Sequence, residues 1–411
     1  MRSVMRPGRA NLVLATLFAG MFVLGSAELL VVGVLNLIAA DLRISIPMAG
    51  TLVTAYALGL AIGGPLLTAL TIKVDRKVVL GGALLLFLLA NLVSVMTTEY
   101  PVFLVARALA GAFQGLFIAG AFVAGVSVVP PERMGRAMSV VVSGVAVSAA
   151  LGVPLGTLAG QSLGWRGSFA AIVVLTGLTL VATLALAPSV PATGGGAGDQ
   201  ARHAFAPRVL AVLALNVLVF AALYAALTYI VPFLERVTGI SGALTSVFLL
   251  AYGVATAAGS FGGGRFADRD AARTLVLATA LAALCLLALV LVGAYPIPVA
   301  LVLLVWGLVA FGMVPSLQYR VVSLAGPGGA LAQSLPASAA NVGIAVGSAA
   351  GGLAIGGGAT PSAAVITGLV IAVVAVPVAW ATGRLTPPRT EELPPSPPDP
   401  IDAAGQELHH P

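Results

Sequence analysis

The sequence predicts an all-α polytopic membrane protein with twelve transmembrane helices in two pseudo-symmetric six-helix halves. Composition is the first reason. Of 411 residues, 59% are hydrophobic and only 8% charged, whereas a soluble domain carries about 25% charged residues. A soluble fold of this length could not solvate itself with so few charges. The second reason is that apolar stretches long enough to cross a bilayer recur along the whole chain, separated by short polar breaks. The third is an internal repeat. Ile44–Ser45, Tyr56 and Gly63 return 196 residues later as Ile240–Ser241, Tyr252 and Gly259, and the same offset sets Asn36 opposite Pro232. Asp75–Arg76 returns as Asp268–Arg269 with an offset of 193. Two related six-helix halves are an arrangement typical of transporters, whose halves rock about a central site.

The spans follow in order. The first apolar run, Asn11 to Ala39, holds one charge, Glu28; it is too long and lacks the cleavage pattern of a removable signal peptide. The predicted helices are 11–38, 48–72, 78–97, 101–126, 136–160 and 166–187, then 208–234, 242–264, 272–293, 295–318, 331–357 and 361–383. Residues 1–187 form the first half and 208–383 the second. Between them, 188–207 contains TGGGAGDQARH, a polar, Gly-rich cytoplasmic linker. The tail, 384–411, is Pro-rich and acidic and is expected to be disordered.

Loop charges set the orientation. With a cytoplasmic N-terminus, sixteen Lys and Arg residues fall on the inner side and three (Arg43, Arg166 and Arg236) on the outer, with Arg107 left inside a span. That asymmetry predicts both termini in the cytoplasm and a multi-pass protein of the cell membrane. It also accounts for the net charge of +6: no clustered basic face of the kind that binds nucleic acid is visible. Cys285 is the sole cysteine, so no internal disulfide can form.

Chemistry is concentrated in a few places. A carboxylate deep in a span is costly unless it faces water, a partner or a proton. Glu28 lies about 15 Å from the outer end of its helix and Arg107 about 9 Å, from the rise per residue, depths compatible with contact or a shared water. A change in their separation would load or release a proton; a static buried ion pair is the alternative. Gly144, Ser148, Gly152, Gly156 and Gly160 recur every four residues, one small face for tight packing, and Pro154 within it can kink the helix. Gly343, Gly347 and Gly351 echo it. The stretches GGPLLTALTIKVDRKVVL and GSFGGGRFADRDAARTL each place Gly at a helix end and then Asp–Arg. Asp75, Arg76 and Lys77, with Asp268 and Arg269, are candidates for a charge latch between conformations; simple topogenic charge is the alternative. Asn36, Tyr56, Gln114, Asn216, Tyr224, Tyr229, Gln318 and Asn341 are the polar or aromatic candidates for a substrate cavity, each equally suited to hydrogen-bonding between helices. No phosphate-binding GxxxxGK[ST] stretch occurs. No metal site or other cofactor is expected, because His203, His409 and His410 lie outside the spans.

These stretches resemble the major facilitator superfamily along the whole chain. The two Gly…Asp–Arg loops resemble its motif A, LVARALAGAFQG (Leu104 to Gly115) its motif B with Arg107 in the arginine position, and SGVAVSAALGVPLGTLAG (Ser143 to Gly160) motif C of its antiporter branch. FVLGSAELLVVGVLNLIAADLRIS is similar to the first span of bacterial twelve-span drug:proton antiporters and of relatives that export purine bases, nucleosides or sugars. Asn36 stands where these relatives usually carry Pro. Thr71, Ile72 and Val78 depart from motif A. The resemblance implies an acidic residue at Glu28 and a motif C face that favours exchange over leak. The expected protein is no enzyme. It is a proton-coupled exporter of a small molecule, a drug or antibiotic ahead of a purine, nucleoside or sugar, and it works as a monomer in the lipid bilayer. An uptake carrier or a non-transporting sensor of the same fold is the further alternative.

Overall fold

The computed structural model describes residues 7–130, 133–190, 205–325, 332 and 335–386. Most of the expected linker (191–204) and tail (387–411), with all three histidines, lies outside the described residues. Within them the chain is helical, in twelve segments. They are α1 Pro7–Asp41, α2 Ile46–Leu70, α3 Arg76–Met96, α4 Tyr100–Ser127, α5 134–163 and α6 165–186, then α7 Pro207–Arg236, α8 243–269, α9 271–292, α10 Pro296–Ala325, α11 Leu335–Gly356 and α12 Ser362–Gly383. Ten continuous helical stretches among the described residues are long and apolar enough to cross a membrane.

Two expected loops are missing, and single residues replace them. Between α5 and α6 the helix is interrupted at Gly164, whose φ of 73° is open to a residue without Cβ. Between α8 and α9 the break is Asp270, extended at φ −162° and ψ 90°; its carboxylate accepts the Arg273 amide at 2.9 Å and so caps α9. A Cβ at Gly164 would meet no atom within 4 Å, so Gly164→Ala should cost only its backbone strain, about 1–3 kcal/mol for a φ of 73° with a ψ of 163°. The thermal midpoint of the purified protein should fall by a few degrees while transport persists.

Two proline sites share a solution. Wide π turns, Gly59–Gly63 and Ser148–Gly152, end just ahead of Pro65 and Pro154. A helical proline has no N–H and clashes with the carbonyl four residues back. Here that residue, Ala61 or Ala150, lies within the π turn, and the extra residue relieves the clash.

Glycine sets the helix pairs. The four-residue stripe of α5 packs on α1: a Cβ on Gly144 would meet the Phe18 carbonyl and Met21, one on Gly152 would meet Ser26, and one on Gly156 would meet Leu30. The stripe of α11 packs in the same way on α7, Gly343 against Val217, Gly347 against Ala221 and Gly351 against Ala225. The α2–α4 pair is repeated by α8–α10. Gly111 sits on the Tyr56 carbonyl, and Gly307, 196 residues on, sits on the Tyr252 carbonyl.

The first six helices meet the last six toward the face opposite the N-terminus. On α2 and α11, Ser348 Oγ donates to the Gly50 carbonyl at 3.0 Å and Thr54 Oγ1 to the Ala345 carbonyl at 3.5 Å. Gln161 of α5 donates to the Gly242 carbonyl at 2.8 Å, and α8 brings Gly253 onto the Ala149 carbonyl. Nearer the N-terminal face, Gly64–Leu70 of α2 packs on α4.

Candidate functional site

Glu28 is half-buried at mid-depth of α1, and it is held by a short relay. Gln114 Nε2 on α4 donates to Glu28 Oε2 at 2.7 Å. Gln114 Oε1 accepts from the hydroxyl of Tyr56 on α2. Tyr56 and Gln114 are buried, at 1% and 2% exposure, so three helices converge on one carboxylate. Two of its small neighbours explain the fit: Gly111 admits the α2 backbone beside Gln114, and Gly25 lets α1 lie against Ser148.

Arg107, fully buried, reaches Glu28 through the main chain and not through the carboxylate. Its guanidinium donates to the carbonyls of Ala27 at 3.0 Å and Glu28 at 3.2 Å. It also stands 4.0 Å over the centre of the Tyr56 ring. In place of the expected pairing of two charges stands a cluster of four side chains: Gln114 carries the contact to the Glu28 carboxylate, and Arg107 clamps the helix that bears it and the Tyr56 ring that starts the relay.

Beside this cluster a cavity opens between the two sets of six helices, lined by Leu29, Val32, Tyr224, Tyr252, Thr256 and Phe311 among others. Of the cavity candidates, Tyr224 lines it, and Tyr56 and Gln114 form the relay. The others sit elsewhere. Asn36 donates across the joint to Glu235 of α7. Tyr229 donates to the Ser348 carbonyl at 3.0 Å, with its ring against Gly50 and Gly352. Asn216 donates to the Pro336 carbonyl at 2.8 Å, joining α7 to α11. Asn341 bonds within its own helix to the Ala337 carbonyl at 2.9 Å, and Gln318 is exposed. The predicted span ends at 234, but α7 runs on to Arg236 and carries Glu235 into the joint. In the sequence, Tyr252 is marked only as the repeat of Tyr56.

The loop candidates lie at the N-terminal face. Asp75 caps α3, accepting the Lys77 amide at 2.8 Å. The Ser189 hydroxyl, and then that amide, hold its carboxyl below the usual carboxylate range. Arg76 donates to the Ile72 carbonyl at 3.2 Å, and its amide to the Val190 carbonyl at 3.1 Å. Asp268 and Arg269 precede the Asp270 break. Pro154 is buried just past the π turn. Among the described residues no group of three or more His, Cys, Asp or Glu is gathered to hold a metal.

Known proteins share this architecture. The inner membrane transport protein YdhP of Escherichia coli K12 is 32% identical over 383 residues, 92% of this chain and 98% of that protein. A chloramphenicol resistance protein of Streptomyces lividans is 32% identical over 329 residues, 79% of this chain and 84% of its own. A crystal structure of a bacterial homologue of the human lysosomal transporter Spinster, inward-facing and unoccupied, superposes with a TM-score of 0.76 at 15% identity. It covers 92% of this chain and 98% of that one. The sequence matches the Major Facilitator Superfamily over residues 16–333. The chain is thus a multi-pass membrane transporter without enzymatic chemistry, and it belongs to the Major Facilitator Superfamily.

Proposed function

We propose that this transporter exports a drug-like small molecule in exchange for protons, and that Glu28 is the proton carrier. The observation that supports this most is the Tyr56–Gln114–Glu28 relay. Tyr56 lies on α2 two residues after Thr54, which takes part in the joint with α11. Separation of α2 from α11 therefore shifts the hydroxyl that occupies Gln114, and with it the donor that Gln114 offers Glu28. In this reading the carboxylate changes its hold on a proton as the halves rock.

The loop charges favour a cytoplasmic N-terminal face, and on that reading the arrangement joined at the opposite face is the inward-open one. Asp75, Arg76 and Lys77, with Asp268 and Arg269, form the latch for the opposite state. The α5 stripe, Gly144 through Gly156 with Ser148 and Pro154, holds α1 tightly enough to prevent leak. The likeness to a chloramphenicol resistance protein favours an antibiotic as cargo.

The test is transport into inverted membrane vesicles with an acidic lumen, using labelled chloramphenicol, ethidium, adenosine and arabinose. Accumulation of chloramphenicol or ethidium that stops when the pH gradient is collapsed is expected. Accumulation indifferent to the gradient contradicts proton exchange, and accumulation of adenosine or arabinose alone contradicts the drug assignment. A second prediction concerns the joint. With Cys285→Ser removing the native thiol, Asn36→Cys with Glu235→Cys should form a disulfide on oxidation, halt transport, and recover on reduction. Undiminished transport by the cross-linked protein would exclude opening at that joint.

A further inference from the structure

The internal repeat places different chemistry at equivalent positions of the two halves. Glu28, Tyr56, Arg107 and Gln114 correspond, 196 residues on, to Tyr224, Tyr252, Leu303 and Ala310. The backbone arrangement is kept, since Gly111 and Gly307 each receive the matching tyrosine carbonyl. The polar relay is not. Tyr56 has Gln114 for its hydroxyl and a guanidinium over its ring. Tyr252 has Trp306 beside its ring, at 5.5 Å between centroids, and its hydroxyl has no hydrogen-bond partner although the residue is only 7% exposed.

A buried unpaired hydroxyl is costly unless something else satisfies it. This one belongs to a side chain that lines the cavity, where Tyr224, Phe311, Leu29 and Val32 offer rings and aliphatic surface. No charged residue lines it, and the neighbouring Glu28 carboxylate is already engaged by Gln114, so the walls themselves favour an uncharged molecule over a cation, whose desolvation is costly.

We infer that the second half supplies the substrate seat, and that the Tyr252 hydroxyl anchors an uncharged, mainly apolar molecule by one hydrogen bond. The inference rests on reading the chain as an exporter, but not on Glu28 carrying the proton. The duplicated tyrosine has divided its work: Tyr56 serves the carboxylate and Tyr252 the cargo.

Trp306 makes the seat measurable. The purified full-length protein would be titrated with chloramphenicol (an uncharged nitroaromatic amide), ethidium (a cation) and adenosine (uncharged but polar), following tryptophan fluorescence, with Trp306→Phe as the blank. Chloramphenicol should quench saturably and bind more tightly than the other two. Tyr252→Phe keeps the ring contact with Trp306 and should raise its Kd roughly fivefold, the worth of one neutral hydrogen bond. A purely structural Tyr252 would change the thermal midpoint and leave Kd alone. The inference is overturned by an unchanged Kd in Tyr252→Phe, by tighter binding of ethidium or adenosine, or by no saturable quenching with chloramphenicol. Glu28→Gln, titrated in parallel, should still bind. Binding retained together with undiminished proton-driven transport in Glu28→Gln would fault the exporter mechanism and not the seat.

Discussion

Gly111→Val should leave little folded transporter. A Cβ at this position would run into the Tyr56 carbonyl and lie 3.0 Å from the Leu60 amide, both main-chain atoms that cannot rotate aside. Helices α2 and α4 would have to part. Overpacking of this kind costs about 1–3 kcal/mol in a well-packed core, and here the parting would also carry Tyr56 away from Gln114. The yield of monodisperse protein after detergent extraction should collapse, and any surviving protein should not transport. Gly82→Val is the control, because a Cβ there would meet open space on α3. Equal yields from the two variants would mean that the α2–α4 contact does not depend on glycine.

Glu28→Gln should separate binding from proton coupling. The substitution keeps the size and one oxygen for Gln114 to donate to, and it leaves the main-chain carbonyls that receive Arg107 unchanged. The fold should therefore persist with a near-native thermal midpoint. What is lost is the group that titrates. Transport driven by a pH gradient should fall to the level of vesicles lacking the protein, while exchange of labelled for unlabelled substrate without a gradient continues.

Much of the fold could be read from the sequence, because membrane spans leave a direct signal in apolar run length. The stripes on α5 and α11 were equally readable, since a four-residue period of small residues states which face packs closely. Rotation and lateral position were not readable. The rise per residue gives the depth of Glu28 and Arg107 but not where a guanidinium turns, so the main-chain contacts of Arg107 and the carboxylate contact of Gln114 emerged only in three dimensions. Polarity inside a span likewise does not say what it serves. Asn36 and Tyr229 lie at the joint between the halves, Asn216 ties α7 to α11, and only Tyr224 lines the cavity. The loops expected between α5 and α6 and between α8 and α9 shrank to Gly164 and Asp270, because one non-helical residue is enough to turn the chain. Tyr252 stood in the repeat from the start, but a repeat shows equivalence of position and not which partner has been lost.

The central claim is that Glu28 gives up a proton when cargo arrives. Its most direct test is substrate-induced proton release from inverted vesicles with an acidified lumen, followed with a pH-sensitive dye. Addition of chloramphenicol should alkalinise the lumen of wild-type vesicles, and Glu28→Gln vesicles, matched for protein content, should stay silent. An undiminished signal from Glu28→Gln would contradict the claim and place the proton on another group.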